Sequence, residues 1–182
     1  MTDPQQSARV WLQPAQASSL GEFKSALQAS FKVAAEADSG QALDEPIPSD
    51  EDIEQTVQAA GATTFWIMSG AQRAGGAVVT INPVTGRNAL AFFFIDTRQQ
   101  SRGLGQQAWH AIEQAFPQTR VWETVTPYFE KRNIHFYVNK CGFKIVAFYN
   151  RRHPDPNQGP GHAHEGGEDE EMFAFEKVMG PP

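Results

Sequence analysis

Hydrophobic and polar positions follow two different periods along the chain, and each period predicts one kind of element. Between Ser18 and about Asp38, apolar side chains recur three and four positions apart, which places them on one face of a helix. A second helix is predicted from Ser49 to Ala60, because Ser49 and Asp52 form the polar pair typical of a helix start. A glycine follows each segment, as is typical where a helix ends.

Segments rich in β-branched and aromatic residues predict the strands. They cover residues 8–13, 63–69, 76–82, 89–96, 119–126, 143–149 and 172–178. The segment from Ala89 to Asp96 is apolar at almost every position, which is typical of a central strand buried on both faces. Two more helices, 103–116 and 129–141, separate the later strands, so the order of elements is β-α-α-β-β-β-α-β-α-β-β. This order predicts a single α/β (α+β) domain over residues 1–182, and the Pro-, Gly- and acid-rich residues 151–171 are expected to form a mobile loop insertion.

The composition is that of one globular domain. A chain of 182 residues with 40% hydrophobic side chains can bury a sizeable core without disulfides. Its single cysteine, Cys141, excludes an internal disulfide and any site with several cysteine ligands. No apolar run approaches the roughly 18 residues that a membrane-spanning helix needs. We therefore expect a cytoplasmic protein with no membrane partner.

The charge is unevenly distributed. The net charge of −6 argues against a protein that binds the phosphate backbone of a nucleic acid. Between Arg98 and Arg152, however, nine basic and three acidic residues give a local charge of +6, and the remainder of the chain carries −12. A positive segment in a negative chain suits an anionic ligand.

The candidate chemistry lies where the predicted strand at Ala89 to Asp96 meets the next helix. A polar turn there leads into Gly103, Leu104 and Gly105. The first amides of a helix have no partners within it, and glycines let a ligand approach them closely, so this junction is suited to a phosphate. The alternative is that the two glycines only form a tight turn. The spacing excludes a P-loop, and Ala108 stands at the third glycine position of the dinucleotide-binding pattern.

Two motifs carry a resemblance to a known family. Gln100-Ser-Arg-Gly-Leu-Gly105 fits the pattern [RQ]-x-x-G-x-[GA], and Asn133-Ile-His-Phe-Tyr-Val-Asn-Lys-Cys-Gly-Phe143 follows downstream. Both resemble motifs of the GNAT superfamily of N-acetyltransferases, and the order of elements matches that fold. The resemblance implies a mixed, mostly antiparallel sheet of six to seven strands with about four helices, in which two central strands splay apart.

The resemblance implies that acetyl-CoA binds in the gap between the strands 89–96 and 119–126. The pantetheine arm would pair with the first of these strands, and the pyrophosphate would bind the turn before the helix. The binding residues implied are Phe94, Ile95, Asp96, Gln100, Ser101, Arg102, Gly103, Leu104, Gly105, Gln106 and Asn133.

The reaction implied is direct transfer of an acetyl group to a primary amine of a small molecule or peptide. The main-chain N–H of Ile95 is predicted to bind the oxyanion, and Tyr137 to protonate the departing thiolate. Tyr137 precedes Gly142 by five residues instead of the usual four, so either the helix end absorbs the extra residue or the side chain points elsewhere. Tyr128 is the alternative acid.

Glu123 is the predicted general base, because it is the acid of its strand and apolar neighbours would raise its proton affinity. The alternative is that Glu123 faces solvent or pairs with an arginine. The acidity of the first two helices favours a cationic amine as acceptor. We expect a homodimer, as is common in similar proteins, and no metal site, since His153, His162 and His164 lie in a polar loop.

Two other functions remain open. One is a non-catalytic acyl-CoA sensor or interaction module on the same fold, and the displaced Tyr137 is the feature that favours it. The other is a protein that binds a different nucleotide through the same phosphate site.

Overall fold

The computed structural model describes residues 9–40, 42, 45–99, 103–156 and 171–180, and of residues 38 and 39 only the backbone. The elements are β1 (Val10–Pro14), α1 (Leu20–Ser39), α2 (Asp50–Gln58), β2 (Ala62–Ser69), β3 (Gln72–Thr80), β4 (Arg87–Ile95), α3 (Leu104–Ala115), β5 (Val121–Pro127), α4 (Lys131–His135, continued by a π-helical turn at Phe136–Lys140), β6 (Lys144–Tyr149) and β7 (Met172–Val178). The predicted order of strands and helices is confirmed. The predicted loop insertion lies outside the described residues from 157 to 170.

The strands form one seven-stranded sheet in the order β1-β2-β3-β4-β5-β7-β6. Every neighbouring pair is antiparallel except β4 and β5, which are parallel. The sheet is therefore mixed and mostly antiparallel, as the resemblance implied. No described helix is long and apolar enough to cross a membrane.

The central pair, β4 and β5, separates soon after it forms. The two strands pair only at Arg87–Ala89 of β4 and Val121–Glu123 of β5. Just beyond, Val78 of β3 pairs with Phe92 and Val79 with Leu90, so Ala91 is an extra residue, a β-bulge in β4. A bulge bends its strand and increases the local twist, which turns β4 away from β5. The splayed strands implied by the resemblance are thus confirmed.

Where the main-chain hydrogen bonds between β4 and β5 stop, a side chain forms the next hydrogen bond between the two strands. The hydroxyl of Thr124 in β5 donates to the carbonyl oxygen of Leu90 in β4 at 2.9 Å, and both residues are buried. This bond marks the apex of the V-shaped gap that opens toward the end of β4.

The core has two parts, one on each face of the sheet. On the face of α3 and α4 it includes the fully buried rings of Trp109 and Trp122. On the face of α1 and α2 it includes Phe23 and Trp66. Strand β4 contributes side chains to both, which confirms the prediction that it is buried on both faces.

Helix α4 differs from the continuous helix predicted at 129–141. It begins at Lys131 and widens into a π-helical turn, in which the N–H of Cys141 donates to the carbonyl oxygen of Phe136 at 3.0 Å. The wider turn contains one residue more than an α-helical turn, and Gly142 closes it with φ of 80°. The helix end therefore absorbs the extra residue of the second motif.

Candidate active site

A cavity of about 590 Å³ opens where β4 and β5 part. Its volume is in the range that holds a drug-sized ligand. The lining comes from the end of β4, the start of α3, both sections of α4 and the C-terminal half of α1. Seven of the predicted binding residues line it: Phe94, Ile95, Gly103, Leu104, Gly105, Gln106 and Asn133.

The other predicted binding residues are not in this lining. Gln100, Ser101 and Arg102 lie outside the described residues. Asp96 follows β4 but forms an ion pair with Arg98, at 2.7 Å between carboxylate and guanidinium. Hydrogen bonds from the Arg98 side chain and main chain lower the pKa of the Asp96 carboxyl below its ordinary value.

The start of α3 leaves its backbone open to a ligand. Gly103 has φ of 74°, in the left-handed region that side-chain-bearing residues avoid, and no atom of the described residues lies within 4 Å of the place a Cβ would take. A Cβ at Gly105 would stand 3.1 Å from the ring of Phe136. The two glycines are therefore needed for different reasons. Gly103 is required by its left-handed backbone, and Gly105 by the close approach of the Phe136 ring.

Cations gather on one side of the cavity. Lys131, Arg132 and Lys140 of α4 line it, against one carboxylate among the described lining residues, Glu130. The side-chain amide of Gln106 donates to the carbonyl oxygen of Lys140 at 3.0 Å and ties α3 to α4. An open helix start beside three cations suits the phosphates of an anionic ligand.

The main chain of β4 also faces the gap. Asp96 donates to the carbonyl oxygen of Ala74 in β3 at 2.8 Å. Because main-chain groups of an antiparallel strand point to alternate sides, the N–H groups of Phe93 and Ile95 are directed toward β5. Phe93 was not predicted as a site residue; its ring stacks on Phe136 at 5.5 Å and both line the cavity.

Tyr137 lies at the apex of the gap. Its side chain is 6% exposed, and a hydrogen bond links its hydroxyl to Thr124, the residue that bonds to Leu90. Burial is the main cause that raises the pKa of this hydroxyl above its ordinary value of 10.0. Tyr137 is not among the residues that line the cavity, and packs toward the core against Phe143 and Phe175.

Comparison with known proteins decides the family. The model of the Acetyltransferase (GNAT) family matches residues 27–143, which include the splayed strands, the start of α3 and α4. The chain belongs to the GNAT acetyltransferase family.

The relatives of this GNAT protein agree over nearly the whole chain. It is 45% identical over 179 residues to the uncharacterized protein YrkN of Bacillus subtilis (strain 168), covering 94% of each. Three solved structures share the fold at low identity. They are a Bacillus subtilis acetyltransferase in complex with CoA (18% identity, TM-score 0.63, 94% and 98% of the two chains), a spermidine N-acetyltransferase from Vibrio cholerae in complex with CoA and spermine (12%, 0.65, 93% and 95%) and the ribosomal-protein-S18-alanine N-acetyltransferase from Escherichia coli (12%, 0.62, 95% and 96%).

Within this GNAT domain, Glu123 lies at the closed end of the gap, opposite Ala89. Its carboxylate accepts from Nε of Arg87 at 2.8 Å, and Arg87 also bonds to Glu176 of β7. The side chain of Glu123 is 39% exposed, so the apolar surroundings predicted for it are wrong and the arginine pairing is what the structure shows. The pairing with an arginine is the alternative that the sequence left open, and the strand alone did not identify the partner because Arg87 belongs to the neighbouring strand β4.

Glu130, which the sequence did not single out, is a buried acid beside the gap. It precedes α4, is 9% exposed and lines the cavity. Its negative charge contributes to the raised pKa of Tyr137, so the two side chains are close enough to interact. Tyr128, the alternative acid, is 48% exposed and packs on Phe148 and Phe173.

Proposed function

We propose that the chain is an acetyl-CoA-dependent N-acetyltransferase that acts on a primary amine. The observation that carries the proposal is the gap between β4 and β5, which has main-chain donors on one side. It opens into a cavity that is lined by the start of α3 and by three cations of α4. Membership of the GNAT acetyltransferase family and similarity to CoA-bound acetyltransferases support it.

Acetyl-CoA is the acyl-donor substrate in this proposal, and the residues present fit it. The phosphates bind the N–H groups of Gly103 to Gln106, with Lys131 and Lys140 beside them. The absence of side chains at Gly103 and Gly105 keeps these amides accessible. The pantetheine arm pairs with Phe93, Phe94 and Ile95 as an added strand would.

The chemical step joins amine and thioester. The amine nitrogen attacks the carbonyl carbon, the C–N bond forms, and the C–S bond breaks to release CoA as its thiol. Ile95 is the predicted donor to the oxyanion, and the N–H of Phe93 points the same way, two residues nearer the apex. Tyr137 donates its proton to the departing thiolate. The amine nitrogen loses a proton to a carboxylate, which passes it on to Tyr137 and so restores the hydroxyl.

The protonation state of Tyr137 suits the role of general acid, which requires a hydroxyl that still carries its proton. Since burial raises its pKa, the hydroxyl remains protonated throughout the neutral range. For the base, Glu130 in the cavity lining is better placed than the predicted Glu123, which is ion-paired at the closed end of the gap. The homodimer and the cytoplasmic location stay predictions.

The proposal is tested by incubating the protein with acetyl-CoA and a panel of primary amines, following thiol release and identifying acetylated products by mass spectrometry. Tyr137→Phe should lower kcat by about 10²- to 10⁴-fold and leave the KM for acetyl-CoA unchanged, because only the proton donor is lost. Tyr128→Phe is the matched control and should retain the wild-type kcat.

The acyl-CoA sensor is the second candidate, and the placement of Tyr137 outside the cavity lining favours it. Calorimetry separates the two. Tight binding of acetyl-CoA with no turnover across the amine panel would identify a sensor and contradict the proposed enzyme.

A further inference from the structure

The cavity passes through the sheet. On one face its walls are the start of α3 and the residues of α4; on the other, the wall is the C-terminal half of α1. Because α1 packs on the face opposite α3 and α4, the cavity has a wall on each face of the sheet. Ser30 of α1 marks this side, where its hydroxyl donates to the carbonyl oxygen of Ile95 at 3.3 Å.

The two walls differ in charge. Among the described residues that line the cavity, the cations Lys131, Arg132 and Lys140 are all on α4. The described α1 residues that line it are uncharged: Ser30, Phe31, Val33, Ala34 and Ala37. If the nucleotide end of acetyl-CoA occupies the cationic side, the acceptor approaches along the apolar wall of α1.

Three acids of the first two helices form ion pairs away from that wall. Asp50 and Glu54 are both ion-paired with Lys24, at 2.8 and 3.3 Å. Glu22 pairs with Arg73 of β3. None of these three carboxylates is among the described residues that line the cavity.

We infer that the acceptor is a primary amine with an apolar substituent, aliphatic or aromatic, that packs on Phe31, Val33, Ala34 and Ala37 of α1. The inference rests on the proposed function, and names its second substrate. A polyamine is disfavoured, because its second ammonium group would lose water against this wall, and none of the described α1 residues that line the cavity is a carboxylate.

The expected selectivity follows from burial of the substituent. Each methylene group that moves from water onto the apolar wall should raise kcat/KM about fourfold, until the substituent outgrows the wall. Butylamine, hexylamine and 2-phenylethylamine are therefore compared with spermidine at a fixed, saturating concentration of acetyl-CoA. Hexylamine and phenylethylamine are expected to exceed spermidine by at least about tenfold in kcat/KM.

A substitution on α1 locates the subsite. Val33 is 51% exposed, so Val33→Asp should fold, and it places a carboxylate on the apolar wall. It should lower kcat/KM for hexylamine about tenfold or more, raise that for spermidine, and leave the Kd of acetyl-CoA unchanged. Val84→Asp is the matched control, since Val84 is 91% exposed in the turn between β3 and β4. This variant should leave kcat/KM unchanged for both amines.

The outcomes separate the inference from the function it rests on. Spermidine as the better substrate, or a Val33→Asp protein that loses affinity for acetyl-CoA instead of hexylamine, would overturn the inference and leave the acetyltransferase standing. Acetyl-CoA binding with no acetylation of any amine would overturn both.

Discussion

Two glutamates show how strongly the neighbours of a single residue decide what it can do. Glu123 is shared between the guanidinium of Arg87 and solvent, and its strand position puts Glu176 next to it. Glu130 is buried just before α4 and lines the cavity. Of the two, Glu130 is the one that we propose as the base.

At this scale we predict that Glu130→Gln lowers kcat/KM for the amine by about 10²-fold or more, because the amide cannot accept the proton. Glu123→Gln should change it by less than about threefold, since an exposed ion pair contributes little. Steady-state kinetics of the two isosteric variants check this, and a larger loss in Glu123→Gln would restore the base predicted from the sequence.

The pH dependence of the steady-state rate tests the role of Tyr137 as general acid. Because its pKa lies above the ordinary value of 10.0, the wild-type rate should rise with pH as the amine loses its proton and should not fall again below about pH 10. A descending limb near pH 8 would show that a different acid protonates the thiolate.

At the scale of elements, the site is made by irregularities in otherwise regular segments. A bulge at Ala91 bends β4, the left-handed Gly103 starts α3, and a π-helical turn ends α4. The last of these lets Phe136 and Lys140 line the cavity while Tyr137 and Cys141 remain in the core. Each irregularity adds or reorients one residue where the ligand is expected.

We predict that Gly103→Glu abolishes acetyl-CoA binding, because the side chain and its charge would enter the phosphate site at the start of α3. Gly40→Glu is the control: Gly40 also has a left-handed φ, 67°, with no described atom within 4 Å of the place of its Cβ, so the backbone strain is similar, and it is not among the described residues that line the cavity. Calorimetry on folded protein measures both. Unchanged affinity in Gly103→Glu would contradict this placement of the phosphates.

The regular part of these elements follows from sequence pattern, and the irregular part does not. Apolar spacing predicted α1, and Ser49 caps α2 by accepting from the N–H of Asp52 at 3.1 Å. The widening at Phe136 leaves the helical spacing almost unchanged, so the pattern predicts one continuous helix. The ion pairs of Arg87 with Glu123 and Glu176 depend on the register of three strands, which one strand's residues do not contain.

At the scale of the whole molecule, charge is segregated by function. The segment from Arg98 to Arg152, with its charge of +6, includes the cations of α4 that line the cavity. Three acids of α1 and α2, Glu22, Asp50 and Glu54, form ion pairs away from the cavity lining. A negative protein can thus hold an anionic substrate, because what the substrate meets is the local charge.

We predict that the Kd of acetyl-CoA rises on the order of tenfold between 50 and 500 mM salt, as screening weakens the attraction to these cations. Lys131→Gln should make this dependence shallower, because Lys131 lines the cavity. Lys144→Gln, an exposed lysine of β6 outside the lining, is the matched control. A salt-independent Kd would contradict an electrostatic contribution to binding.

The bond from Thr124 to Leu90 marks where β4 and β5 stop pairing, and beyond it a gap separates the two strands. If acetyl-CoA and the amine enter this gap from opposite faces of the sheet, neither blocks the binding of the other. Initial-rate kinetics should therefore show a ternary complex with intersecting double-reciprocal lines. A single molecule that joins CoA to an alkylamine through a short linker should thread the opening and compete with both substrates at once.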